Sequence, residues 1–97
     1  MLLESLRYFL AVVKTMSFSE AAEELNISQS ALSKKIKSLE LDLDVLLFYR
    51  TTRAIQLTEA GTALVPLANE AVLLENRVEA QMRRFRLRTK EVLRIAS

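Results

Sequence analysis

Gln29, Ser30, Ser33, Lys34 and Lys37 bring together an amide, two hydroxyls and two ammonium groups, and no carboxylate interrupts residues 28–39. At helical spacing, 30, 33, 34 and 37 share an arc opposite Leu32, Ile36 and Leu39, with Gln29 in the first turn. An amide can pair with adenine edges, a hydroxyl with several bases, and an ammonium with guanine acceptors or phosphate. The chemistry open to such a face is recognition of a nucleic-acid groove, not bond making. Taken alone, the same residues would also describe an ordinary solvated helix face.

The rest of the composition narrows the choice. The 97 residues contain no Cys and no His, which removes disulfides, thiol chemistry, the commonest general base and the commonest metal ligand together. An enzyme is therefore not expected, and neither is a cofactor. An apolar fraction of 51% is ample for a core, and one Gly and one Pro argue for long helices with few turns. Net charge is only +2, so distribution matters more than the sum. Lys34, Lys35 and Lys37 form a basic, acid-free stretch, with Arg50 and Arg53 following. The longest unbroken apolar run, Tyr8 to Val13, is far short of a membrane span, and the N-terminus lacks a secretory signal, so a cytoplasmic location without membrane contact is expected.

Elements that could position the polar arc are legible around it. Leu3, Leu6, Leu10 and Val13, widened by Phe9 and Val12, predict a first helix that buries two faces, one of them against a partner. Ser17 with Glu20 forms a capping box that starts a second helix at Phe18, with Ala21, Ala22 and Leu25 inward and Glu20, Glu23 and Glu24 outward. Asn26 tolerates the left-handed conformation that ends this helix, and Ser28 caps a third, which ends near 42–44. Two short helices joined by a three-residue turn, packed through Ala22, Leu25, Ile27, Leu32, Ile36 and Leu39, make a helix-turn-helix. Phe48, Tyr49, Thr51, Thr52, Ile55 and Thr58 then favour a two-stranded hairpin with its tip near 51–54, an irregular loop being the alternative.

Thr58 caps a fourth helix expected to run to about Leu87, bent near Pro66. Leu64, Leu67, Ala71, Leu74, Val78 and Met82, continued by Phe85, step by three and four along it as a heptad seam. About 30 residues at 1.5 Å each make a rod of order 45 Å, too long to be covered by a compact domain of residues 1–58. The seam is accordingly read as a homodimer interface, with intramolecular packing as the alternative. Residues 83–90 are densely basic, and EVLRIAS turns apolar and β-prone.

The stretch NISQSALSKKI resembles the recognition segment of Cro-type helix-turn-helix repressors. With LLFYRTTRAIQLTEAG, the long helix and the closing LRIAS, nearly the whole chain resembles the N-terminal region of LysR-type bacterial transcriptional regulators. Ser30 stands where that family often has proline, Asp44 where glycine is frequent, and Lys34 where arginine is frequent. The resemblance implies a mainly helical fold: a winged helix-turn-helix over 1–58 and a dimerising linker helix over 59–88. It implies a hinge over 89–97, leading to a C-terminal effector-binding domain outside this sequence. A tetramer would be the usual full-length assembly, with any small-molecule effector on that further domain.

Double-stranded DNA is then the expected partner, read as a pseudo-palindromic operator. Gln29, Ser30, Ser33, Lys34 and Lys37 would enter the major groove, and Arg53 at the wing tip would approach the minor groove. Ser28 and Thr52, with Thr51, Ser17 and Ser19, could donate to phosphates or serve only as caps. A helical protein-interaction module with solubilising lysines is the competing reading, and the acid-free face over 28–39 counts against it.

Overall fold

Four helices and one hairpin follow from this patterning in the computed structural model, which describes residues 2–51 and 54–96, with side chains as far as Thr89. Helix α1 (Leu2–Thr15) turns Leu6, Phe9 and Val12 fully inward, while Leu3, Leu10 and Val13 remain half-covered. One apolar flank of α1 is thus satisfied within the chain and the other is not. Helix α2 (Phe18–Leu25) and helix α3 (Gln29–Leu43) are joined by Asn26, Ile27 and Ser28.

The turn is built by side-chain chemistry. Asn26 adopts the left-handed conformation (φ 57°, ψ 41°), and its N–H donates to the Ala22 and Glu23 carbonyls, closing α2. Ser28 Oγ accepts from Ala31 N at 3.1 Å, opening α3. Ser17 likewise caps α2 by accepting from Glu20 N at 3.2 Å. The reciprocal half of the expected capping box is absent: Ser17 N donates to Thr15 Oγ1 at 3.2 Å, so that hydroxyl has taken the place of the Glu20 carboxylate. Thr15 can do this because it sits two residues back, at the end of α1, and also donates to the Ser17 carbonyl at 2.9 Å.

Beyond α3, strands β1 (Phe48–Arg50) and β2 (Ile55–Leu57) form the antiparallel hairpin, in the register Phe48 to Leu57, Tyr49 to Gln56 and Arg50 to Ile55. Thr51 N and Thr51 Oγ1 both donate to the Ala54 carbonyl, at 3.0 and 2.9 Å. The core lies where α1, α2, α3 and the hairpin root meet. Phe9, Leu32, Ile36, Leu39 and Leu47 are sealed there, and the Phe48 ring stands 5.5 Å from Phe9 and 6.0 Å from Phe18.

Helix α4 (Glu59–Ala96) starts from Thr58, whose hydroxyl accepts from Gly61 N at 2.9 Å. It passes through Pro66 and continues to Ala96, correcting both the expected end near Leu87 and the β-prone reading of the last residues. Extending a helix adds one hydrogen bond per residue fixed, whereas an isolated strand has no ladder to join, so the helix prevails over local strand propensity. The molecule is 64 Å long and 26 by 20 Å across, a globular head with α4 as a rod.

Candidate nucleic-acid interface

Local chemistry places the polar arc. Leu32, Ile36 and Leu39 anchor one side of α3 in the core, which turns Gln29, Ser30, Lys34 and Lys37 to solvent and leaves Ser33 half-buried. Lys34 and Lys37 form no ion pair among the described residues. Both ammonium groups are therefore available to an outside anion.

The third lysine of the run is spoken for. Lys35 Nζ donates to Glu4 Oε1 of α1 at 3.0 Å and lies 5.8 Å from the Tyr8 ring centre. Its pKa is raised above the ordinary lysine value, first by that hydrogen bond and then by the Glu4 charge. Lys35 ties α3 to α1, so the basic run divides into two exposed charges and one structural tie.

Ser28 and Ser30 lie close, Oγ to Oγ 3.3 Å, at the start of α3. The Ser28 hydroxyl is thus already engaged as the cap, and Ser30 joins its hydrogen-bonding group. Gln29 and Ser33 come together with Ser17, Ser19, Arg50 and Thr51 around one open cleft between the start of α2, the exposed side of α3 and the hairpin. Lys37 instead borders a second, more apolar groove with Leu41, Leu46 and Tyr49 beside the C-terminal half of α3. The two expected hairpin contributors, Thr52 and Arg53, lie outside the described residues.

Arg50, in the sequence only a basic residue following the lysine run, takes a defined place in the fold. Its guanidinium carbon sits 4.9 Å from the Phe18 ring centre, and its Nη2 donates to Glu40 Oε1 at 3.3 Å. The signal was Glu40, a carboxylate one turn after Ile36 on the apolar stripe of α3, where a buried acid requires partners.

Acids are partly neutralised within the chain. Glu24 of α2 lies 3.5 Å from Lys14 of α1, and Arg7 of α1 binds Glu75 and Asn76 of α4. The heptad seam divides into two sets. Leu64 and Ala71 are half-buried against the chain's own core, beside the sealed Ala68. Leu67, Leu74, Val78 and Met82 stand 45–59% exposed, followed by Phe85. Among the described residues, no helix is long and apolar enough to cross a membrane.

Residues 3–62 match the family model described as bacterial regulatory helix-turn-helix protein, lysR family. Over 66 residues, 68% of this chain and 46% of the relative, the sequence is 54% identical to an HTH-type transcriptional regulator in the ibpB-leuC intergenic region of Azotobacter vinelandii. Over 94 residues it is 40% identical to the HTH-type transcriptional activator AmpR of Citrobacter freundii, covering 96% of this chain and 31% of AmpR. The chain thus spans less than half the length of these curated relatives. Among solved structures, it superposes on the DNA-binding domain of CbnR in complex with DNA, with a TM-score of 0.81 and 35% identity, covering 86% of this chain and 95% of that one.

Proposed function

The chain belongs to the LysR family of bacterial helix-turn-helix transcriptional regulators, and from that premise we propose that it reads a pseudo-palindromic DNA operator as a homodimer. In this reading α3 lies in the major groove of each half-site and the hairpin serves as a wing at the flanking minor groove. The observation that carries it is the exposed, acid-free face from Gln29 to Lys37, held by the Ser28 cap and the buried stripe behind it. Gln29, Ser30 and Ser33 read base edges. Lys34 reads guanine acceptors or phosphate, Lys37 binds phosphate, and Ser28, Thr52 and Arg53 contribute from the flanks. The DNA held by the CbnR domain supports the same partner.

The exposed seam supports the dimer in this reading. Leu67, Leu74, Val78 and Met82 would pair with those of a second copy, together with the half-covered flank of α1. Leu64 and Ala71 would support the seam from within the chain. A twofold axis between two α4 rods presents two copies of α3, matching operator symmetry to protein symmetry. The protein would act in the cytoplasm, where bacterial DNA is.

Selection of bound genomic fragments, followed by sequencing and gel-shift of the recovered sites, tests the proposal. It predicts enrichment of a sequence with twofold symmetry and a sequence-selective complex at moderate salt. Binding that is indifferent to sequence would end it.

A further inference from the structure

Glu40 is a carboxylate in a place where an apolar residue is the ordinary choice. It is 8% exposed, on the side of α3 that carries Ile36 and Leu39 into the core. A charge in such a site is unfavourable unless its lone pairs are used. They are used: Oε2 accepts from Leu47 N at 2.8 Å and from Phe48 N at 3.4 Å, and Oε1 accepts from Arg50 Nη2 at 3.3 Å.

These partners lie on a single path from the buried side of α3 to the wing. Leu47 and Phe48 are the point at which β1 leaves the core, so the two backbone bonds fix the root of the hairpin. Arg50 is the last residue of β1, and its guanidinium stacks on Phe18, the first residue of α2. One side chain on α3 therefore holds the near end of a wing strand directly, and its far end through Arg50. Well-packed apolar residues can replace a buried ion pair without loss of stability, and often with a gain. What they cannot do is hold two N–H groups and a guanidinium in fixed directions. The contribution of Glu40 is directional.

We propose that Glu40, acting through Arg50, is a positioning residue for DNA reading: it sets the angle and spacing between α3 and the wing, so that both meet one duplex in register. This rests on the function proposed above.

Glu40→Gln separates the two links, because an amide oxygen still accepts from Leu47 and Phe48 while its N–H₂ cannot accept from Arg50. Arg50→Gln cuts the same link from the other end and leaves the carboxylate with both backbone partners. Each variant is titrated against two series built on the site selected by the unmodified protein. One series changes base pairs facing α3, and the other replaces A·T by G·C in the flanks facing the wing.

The unmodified protein should lose about tenfold in each series, the scale of a mismatched base pair. In both variants, central discrimination should stay within about twofold of that value, while flank discrimination falls to about twofold or less. Thermal melting monitored by circular dichroism establishes which variants are folded. If Glu40→Gln does not fold, Arg50→Gln answers the same question. Folded variants that keep full flank discrimination, or lose central and flank discrimination together, overturn the inference. So does an unmodified protein that discriminates only at the centre, a result that leaves major-groove reading intact. Failure of the unmodified protein to select any site overturns the DNA-reading proposal itself, and this inference with it.

Discussion

Substitution of the single glycine pits two well-understood effects against each other. Gly61 lies in the first turn of α4, where helix propensity alone predicts that alanine stabilises by up to about 1 kcal/mol. The surroundings argue the reverse. A Cβ at position 61 would stand 2.2 Å from the Leu47 carbonyl oxygen and 2.9 Å from Leu57 Cδ2. The leucine tip can rotate aside, but Leu47 O belongs to the backbone at the root of the wing and accepts from Thr58 N at 3.0 Å. It would have to retreat by most of an ångström, straining or breaking that hydrogen bond. Overpacking of this kind costs about 1–3 kcal/mol, and orphaning a buried carbonyl about 1–3 kcal/mol more. After the propensity gain is subtracted, Gly61→Ala should destabilise the fold by roughly 1–5 kcal/mol. In a chain this short that lowers Tm by about 5–25 °C, read by far-UV circular dichroism and checked by urea unfolding. A variant melting at or above the parent temperature would refute the reasoning, because propensity would then have outweighed the contact.

Three further outcomes follow from particular residues. Asp44 ends α3 in the left-handed conformation (φ 56°) with a negative charge at a helix C-terminus, so Asp44→Gly should raise stability by about 0.5–1 kcal/mol; a lower Tm would contradict this. Leu74 is 58% exposed in the single chain, so Leu74→Glu should leave the monomer fold within about 0.5 kcal/mol yet give monomers in sedimentation, whereas an intact dimer would move the interface elsewhere. The raised pKa of Lys35 means that its tie to Glu4 is fully present below the lysine's unfolded-state pKa and is lost as pH rises through the higher folded-state value. Glu4→Gln should therefore flatten the alkaline decline in stability, and identical declines in parent and variant would remove the tie from the account.

Most of the head was legible because its signals are local. Ser28 and Asn26 announce their caps by residue type, and the stripe Leu32, Ile36 and Leu39 fixes which side of α3 is inside. Hairpin propensity at Phe48–Arg50 and Ile55–Leu57 agreed with the tertiary result. What escaped depended on partners distant in sequence or in competition. Thr15 displaced Glu20 from the α2 cap because a nearer hydroxyl was available. Glu40 stands on the apolar stripe of α3, but its partners Leu47, Phe48 and Arg50 are brought to it only by folding. The seam on α4 read as one heptad series, yet Leu64 and Ala71 face the chain's own core, because a helix packed along part of its length spends some apolar positions there. The end of α4 was misjudged from local strand propensity, where continuation of an existing helix was the stronger term.

In the proposed function one face of α3 reads DNA, with separate residues for base edges and backbone. It is tested most directly by measuring Ser33→Ala and Lys37→Ala against the selected operator and its base-pair variants across a salt series. Lys37→Ala should weaken binding to every sequence alike and reduce the salt slope by about 1, as loss of one phosphate contact requires. Ser33→Ala should leave the slope unchanged and alter preference at particular base pairs. If both substitutions produced the same uniform loss, or neither changed binding, the assignment of reading and anchoring roles along α3 would be wrong.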